Sequence, residues 1–145
     1  MLKGINPLLS PDLLHALAAM GHGDEIVLAD ANYPCASTAP HTVWGRVIPV
    51  HAPLDDVARA VASLLPIDTF DGPAVHWMQI VGDPEKVPEV IAACLPYLVT
   101  EGVSAGGLER FGFYDRARRA YAIVHTSEGR LYGNLILRKG VIPTS

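Results

Sequence analysis

At 145 residues the chain has the length of one domain, 1–145, large enough to bury a core without disulfides or a metal. Half its residues are apolar and 18% are charged, an ordinary globular mix whose slight apolar surplus fits a subunit interface and a well-filled core equally. A formal charge of −4 argues against a nucleic-acid partner, and no apolar run approaches the length needed to span a bilayer.

Ser10, Pro11 and Asp12 read as a helix start, with serine as N-cap, proline at the first helical position and an acid in the first turn. Leu13, Leu14, Leu17 and Met20 follow at helical spacing, and Gly21 is placed as the C-terminal glycine. Residues 25–28 form a short strand whose unbroken Ile26-Val27-Leu28 run suits burial on both faces, with Asp30 at its carboxyl end. A loop over 32–40, a strand over 46–50 and a helix over 53–65 come next; Pro53 opens the helix and Pro66 closes it. After a loop at 68–73, a third strand covers 74–81 and a helix covers 88–95. The 96–107 segment has too weak a pattern for an element. A brief strand at 108–111 then leads into a helix at 114–120, whose Arg116, Arg118 and Arg119 read as a solvated face. Strands at 121–126 and 131–137, separated by Ser-Glu-Gly-Arg, read as a hairpin. Strands alternating with helices give an α/β layered fold, with the hairpin making its sheet mixed.

The stretch 21–34 carries the first chemical signal. Gly21 and Gly23 flank His22, freeing the backbone around an imidazole, the side chain that titrates nearest neutral pH. Ligands of open α/β sheets gather at the carboxyl ends of strands, so Asp30 is placed to serve a site, and the stretch is expected to bring His22 and Asp30 to one pocket. The same residues read equally as a surface histidine in a helix-ending turn and an Asx-turn aspartate. Arg110, beside Phe111, Phe113 and Tyr114, offers a fork of donors for hydroxyls or a carboxylate, or a surface ion pair. Tyr132-Gly133-Asn134 sets a phenol and an amide around a glycine that lets a ligand approach the backbone, or holds a strand-start tyrosine that only packs.

The six histidines lack metal-ligand spacing, no phosphate-binding glycine motif occurs, and Gly-x-Ser-x-Gly is missing. No metal and no cofactor are therefore expected. What remains is acid–base and hydrogen-bonding equipment, suited to a low-barrier reaction. Cys35 and Cys94 match neither Cys-x-x-Cys nor a zinc pattern, so two free thiols and a cytoplasmic location are expected. The first residues, Met-Leu-Lys-Gly-Ile-Asn-Pro, contain no extended apolar region of a secretory signal.

Four ordered motifs then resemble the RbsD/FucU family, on the side of its L-fucose mutarotases. They are Met-Gly-His-Gly-Asp-Glu-Ile at 20–26, Asp-Ala-Asn-Tyr-Pro at 30–34, Glu-Arg-Phe-x-Phe-Tyr-Asp-Arg-Ala at 109–117, and Tyr-Gly-Asn-Leu-Ile-Leu-Arg-Lys-Gly at 132–140. The resemblance implies a three-layer α/β/α domain with a mixed, mostly parallel sheet, assembled into homo-oligomers with sites near subunit boundaries. It implies interconversion of the α and β anomers of a monosaccharide, L-fucose foremost, without a cofactor. By motif, the proton-donating histidine falls on His22, sugar binding on Asp30 and Arg110, and the binding segment on Tyr132, Gly133 and Asn134, with Tyr132 a second proton relay. Two alternatives share these residues: a pyranose–furanose interconversion of D-ribose, and a non-catalytic sugar-binding or transport-accessory protein. Where the fucose branch often carries Arg-Ala-Asp-Gly, this chain departs, reading Val-Trp-Gly-Arg-Val-Ile-Pro-Val-His at 43–51.

Overall fold

The sheet that organises the chain has six strands in the order β2-β5-β1-β6-β3-β4. They are β1 (Glu25–Ala29), β2 (Val47–Val50), β3 (Val75–Met78), β4 (Ala105–Leu108), β5 (Ala122–Thr126) and β6 (Leu135–Arg138), in a computed structural model that describes residues 1–144. The pairs β1–β5, β2–β5 and β3–β4 are parallel, and β6 runs antiparallel between β1 and β3. The helices are α1 (Pro11–Ala19), α2 (Cys35–Thr38), α3 (Leu54–Ala62), α4 (Glu89–Leu98) and α5 (Arg110–Arg118).

Two cores on opposite sides of the sheet make three layers. On one, Leu13 and Leu17 of α1, Val57 and Val61 of α3, and Ile91 and Leu98 of α4 pack against Ile26, Leu28, Ile48, Val75, Leu135 and Leu137. On the other, Cys35 of α2 and Phe113 and Ala117 of α5 cover Val27, Ala29, Ile123 and Ile136. The β1 run alternates between these cores, which is why it carries no polar residue after Glu25.

Several local expectations are met. The Ser10 hydroxyl accepts from the Leu13 N–H, and Pro11 opens α1. Others are corrected by longer-range contacts. The 121–126 and 131–137 runs are not a hairpin: β1 lies between β5 and β6, pairing with both, so the connection crosses a strand. Gly21 does not take the left-handed conformation; Gly23 does, and Lys139 Nζ instead serves the end of α1 by donating to the carbonyls of Leu17 and Met20. The unassigned 96–107 segment holds the end of α4 and nearly all of β4, whose Gly106 and Gly107 hide any strand pattern. The strand expected at 108–111 and the helix at 114–120 give way to α5 from Arg110, because the Glu109 carboxylate accepts from the Phe111 and Gly112 N–H groups and caps the helix four residues early. The loop at 32–40 contains α2 and leads into a single 3₁₀ turn, Ala39–His41.

Arg116 is not on a solvated face. It makes a forked ion pair with Glu25 through Nε and Nη2 at 2.8–3.1 Å, joining α5 to the start of β1. Beside this pair His76 is buried, with its Nδ1 unpartnered. Burial first, then the charge of Arg116, pushes the His76 imidazole down to about 4 from an ordinary 6.5. Between those values the unfolded chain binds more protons than the folded one, so acidification favours unfolding. Unfolding in urea is therefore expected to become easier as pH falls from about 6.5 to 4, by up to about 3 kcal/mol. The His76→Gln variant should lose that portion of the pH dependence, and an unchanged profile would contradict the assignment.

Candidate functional site

At the carboxyl end of β1, Asp30 is buried with its carboxylate ringed by N–H donors. Oδ1 accepts from the Asn32 N–H at 3.0 Å, and Oδ2 accepts from the Gly133 N–H and from Asn134 Nδ2, both at 3.2 Å. In return the Asp30 N–H donates to Asn134 Oδ1 at 2.9 Å. Burying an unpaired charge would cost several kcal/mol, and these bonds offset that cost while fixing the turn before β6 against the end of β1.

That turn is backbone-strained. Tyr132 has φ +60, the only positive value outside glycine among the described residues. A Cβ at Gly133 would stand 2.9 Å from Glu128 Cγ and 3.4 Å from Asp30 Cβ, so only glycine passes between them. The Tyr132 hydroxyl accepts from the Val81 N–H at 3.2 Å, which leaves its own hydrogen free to donate.

Asp30, Asn32, Tyr33, Met78, Arg110, Tyr114, Leu131, Tyr132 and Asn134 enclose an open cleft of about 290 Å³. Its size is at the small end of ligand sites, roughly 300–1,000 Å³. Arg110, the first residue of α5, lies over the Phe111 ring, 4.6 Å from its centroid, and no carboxylate pairs with it among the described residues. Its donors are therefore available to a ligand. The rings of Tyr33 and Tyr114 and the Met78 side chain add apolar surface to the same cleft. Cys35, close behind, is no nucleophile: burial, then the charge of Asp30, pushes its thiol up to about 12. Among the described residues no group of three or more His, Cys, Asp or Glu side chains is arranged to hold a metal ion.

Thus Asp30, Arg110, Tyr132 and Asn134 line one cleft, whereas Gly133 does not line it and instead gives its N–H to Asp30. His22 does not join them. It precedes β1 whereas Asp30 follows it, and a five-residue strand is about 16 Å long, so the expectation that one pocket holds both fails within a single chain. His22 instead sits half exposed, with Nε2 3.2 Å from Oδ1 of buried Asp68 and its ring edge-on to Phe70. The Asp68 carboxylate also accepts from Arg138 Nε at 2.9 Å and from the Thr69 and Phe70 N–H groups. Burial works against its ionisation, but the hydrogen bonds from Arg138, His22 and Phe70 prevail and hold it below the usual carboxylate range.

Sequence reasoning missed Asp68 and Glu128, single acids in loops with no motif around them. Buried Glu128 accepts from the Leu54 N–H that starts α3 and from the Arg130 backbone and guanidinium. Its carbonyl accepts from the Ala31 N–H, so it ties the loop behind Gly133 to the segment after Asp30. The Arg130 hydrogen bond, against the opposing effect of burial, holds the Glu128 carboxyl at about 2. A carboxylate depressed from 4.5 to about 2 contributes stability above pH 4.5 that is lost as pH falls toward 2. Glu128→Ala, which leaves the Leu54 N–H without its partner, is expected to cost about 1–3 kcal/mol in urea unfolding at pH 7, with the deficit shrinking as pH falls through that range. An equal deficit at low pH would contradict the assignment.

The model of the RbsD / FucU transport protein family matches residues 3–142. Fucose mutarotase of Danio rerio is 44% identical over 148 residues, covering 99% of this chain and 95% of that protein. The Homo sapiens fucose mutarotase is 42% identical over 158 residues, with 97% and 94% covered. The crystal structure of the fucose mutarotase from Streptococcus pneumoniae in complex with L-fucose superposes with a TM-score of 0.85 at 37% identity, covering 98% of this chain and all of that one.

Proposed function

The chain belongs to the RbsD/FucU family, and from that premise we propose that it is an isomerase interconverting the α and β anomers of L-fucose without a cofactor. One observation carries the reading: a sugar-sized cleft where a buried carboxylate, an unpaired guanidinium and a phenol with a free hydrogen converge. A carboxylate offers about four acceptor sites, of which three on Asp30 are taken by N–H groups, leaving Oδ1 one position for a sugar hydroxyl. Arg110 supplies donors to neighbouring hydroxyl oxygens, and the apolar surface of Met78, Tyr33 and Tyr114 suits the methyl group of a 6-deoxy sugar.

Anomer exchange requires a base to take the anomeric hydroxyl proton while an acid protonates the ring oxygen. The C1–O bond to the ring oxygen breaks, the aldehyde rotates, and reclosure on its other face returns both protons. We assign one transfer to His22 and the other to Tyr132. Because His22 stands at the far end of its own β1, it acts in the cleft of a second copy, so the protein works as a homo-oligomer with its sites at subunit boundaries. Exposed Leu131 and Phe111 beside the cleft supply apolar surface for that contact. The two free, buried thiols support a reducing, cytoplasmic setting.

Magnetisation-transfer NMR of L-fucose at substoichiometric protein is expected to show exchange well above the spontaneous rate, with His22→Ala lowering it on the order of 10²- to 10⁴-fold. Binding without faster exchange would favour a non-catalytic sugar-binding protein, and undiminished exchange in the variant would remove His22 from the mechanism. Mixing His22→Ala with Asp30→Ala subunits, dissociated and reassembled, is expected to restore about a quarter of the wild-type rate, the share of boundaries that receive both intact groups. A mixture no more active than its components would place the whole site within one chain.

A further inference from the structure

Resting on that reading, we infer that Asp68 is a positioning residue for His22, fixing its neutral tautomer so that Nδ1 is the nitrogen that exchanges a proton with the sugar. The argument begins with capacity. Asp68 is 3% exposed; its Oδ1 accepts from the Thr69 N–H, the Phe70 N–H and His22, and its Oδ2 accepts from Arg138 Nε. A carboxylate so enclosed has little left for a ligand to reach, but it has every feature needed to orient an imidazole. An ionised carboxylate can only accept, so the bond at 3.2 Å requires a hydrogen on His22 Nε2. In the neutral ring that leaves the lone pair on Nδ1.

The surroundings are built to hold this arrangement. Arg138 is anchored on its other side by donating from Nη2 to the Asp71 carbonyl at 2.7 Å, so the guanidinium cannot swing away from Asp68. Gly140 admits the backbone of residue 68, since a Cβ there would stand 2.8 Å from Asp68 Cα. Phe70, 5.6 Å from the His22 ring centroid and tilted to it by 65°, packs against the imidazole in an edge-type contact. The Gly23 N–H donates to the Lys139 carbonyl, tying the His22 turn to the end of β6, where Arg138 originates. Carboxylate, histidine and their supports thus form one unit at the amino end of β1.

Two measurements test the assignment. Long-range ¹H–¹⁵N correlation spectra of the wild-type protein at about pH 8.5, where imidazoles are neutral, are expected to show the protonated nitrogen of His22 at Nε2; a hydrogen on Nδ1 would overturn the proposal. This reading needs no variant to fold, with the His22 signal identified by its disappearance in His22→Ala. Kinetically, Asp68→Asn is expected to lower anomer exchange at saturating L-fucose on the order of 10²-fold, with KM changed less than about threefold. Added to His22→Ala, the same substitution is expected to have no further effect, because Asp68 acts only through His22. A rise in KM as the main effect, or an equal loss with and without His22, would make Asp68 a sugar contact and overturn the proposal. A wild-type protein that does not accelerate exchange would sink the mutarotase reading, while the tautomer spectrum would still decide the pairing.

Discussion

The buried Asp30 carboxylate is the constraint on which the cleft depends. Its acceptors hold the N–H groups of Asn32, Gly133 and Asn134, and so fasten the exit of β1 to the entry of β6. The strain of a tyrosine at φ +60, of order 1–2 kcal/mol, is tolerated because the turn it shapes delivers the Gly133 N–H to that carboxylate. Glu128 supports the arrangement from behind, bonded to α3 and to the segment after Asp30. The polar groups facing a ligand are therefore set before it arrives, and little ordering cost remains for binding.

The sheet explains why one chain holds two organised carboxylates. Asp30 lies at the carboxyl end of β1; Asp68 lies beside its amino end, where the Asp68 N–H donates to the carbonyl of Arg138 and Arg138 pairs with Glu25 across the ladder. Helix α5 runs between the same two ends, presenting Arg110 and Tyr114 to the cleft and clamping Arg116 on Glu25. In the proposed assembly, the amino end of one β1 would meet the cleft of another copy, bringing together the two halves of the proposed acid–base apparatus and coupling assembly to activity.

Much of this was legible in the residues. The Ser10-Pro11 start, the buried run of β1 and the placement of Asp30 at its exit are local facts, and the glycine at 133 marked a close approach, which the structure makes to the side chains of Glu128 and Asp30. The strand order was not, because pairing of β1 with both β5 and β6 is a long-range choice that no turn residue encodes. Strand β4 escaped because two of its four residues are glycine, and α5 began early because a cap by Glu109 outweighed the Gly112 in its first turn. The meeting of His22 with Asp30 was misread for a geometric reason: two residues that flank a strand are held apart by its length. Asp68 and Glu128 draw their roles from partners distant in the sequence, Arg138 for Asp68 and Leu54 and Ala31 for Glu128, which a window along the sequence does not span.

The central claim is that the Asp30 cleft binds the sugar and receives its proton-transfer histidine from another copy. A crystal structure grown with L-fucose tests it most directly. The account predicts the sugar in the cleft, one hydroxyl on Asp30 Oδ1 and others on Arg110, with a neighbouring copy's imidazole within hydrogen-bond distance of the ring oxygen or the anomeric hydroxyl. A sugar bound there with only solvent over its anomeric carbon, or one bound elsewhere, would contradict it.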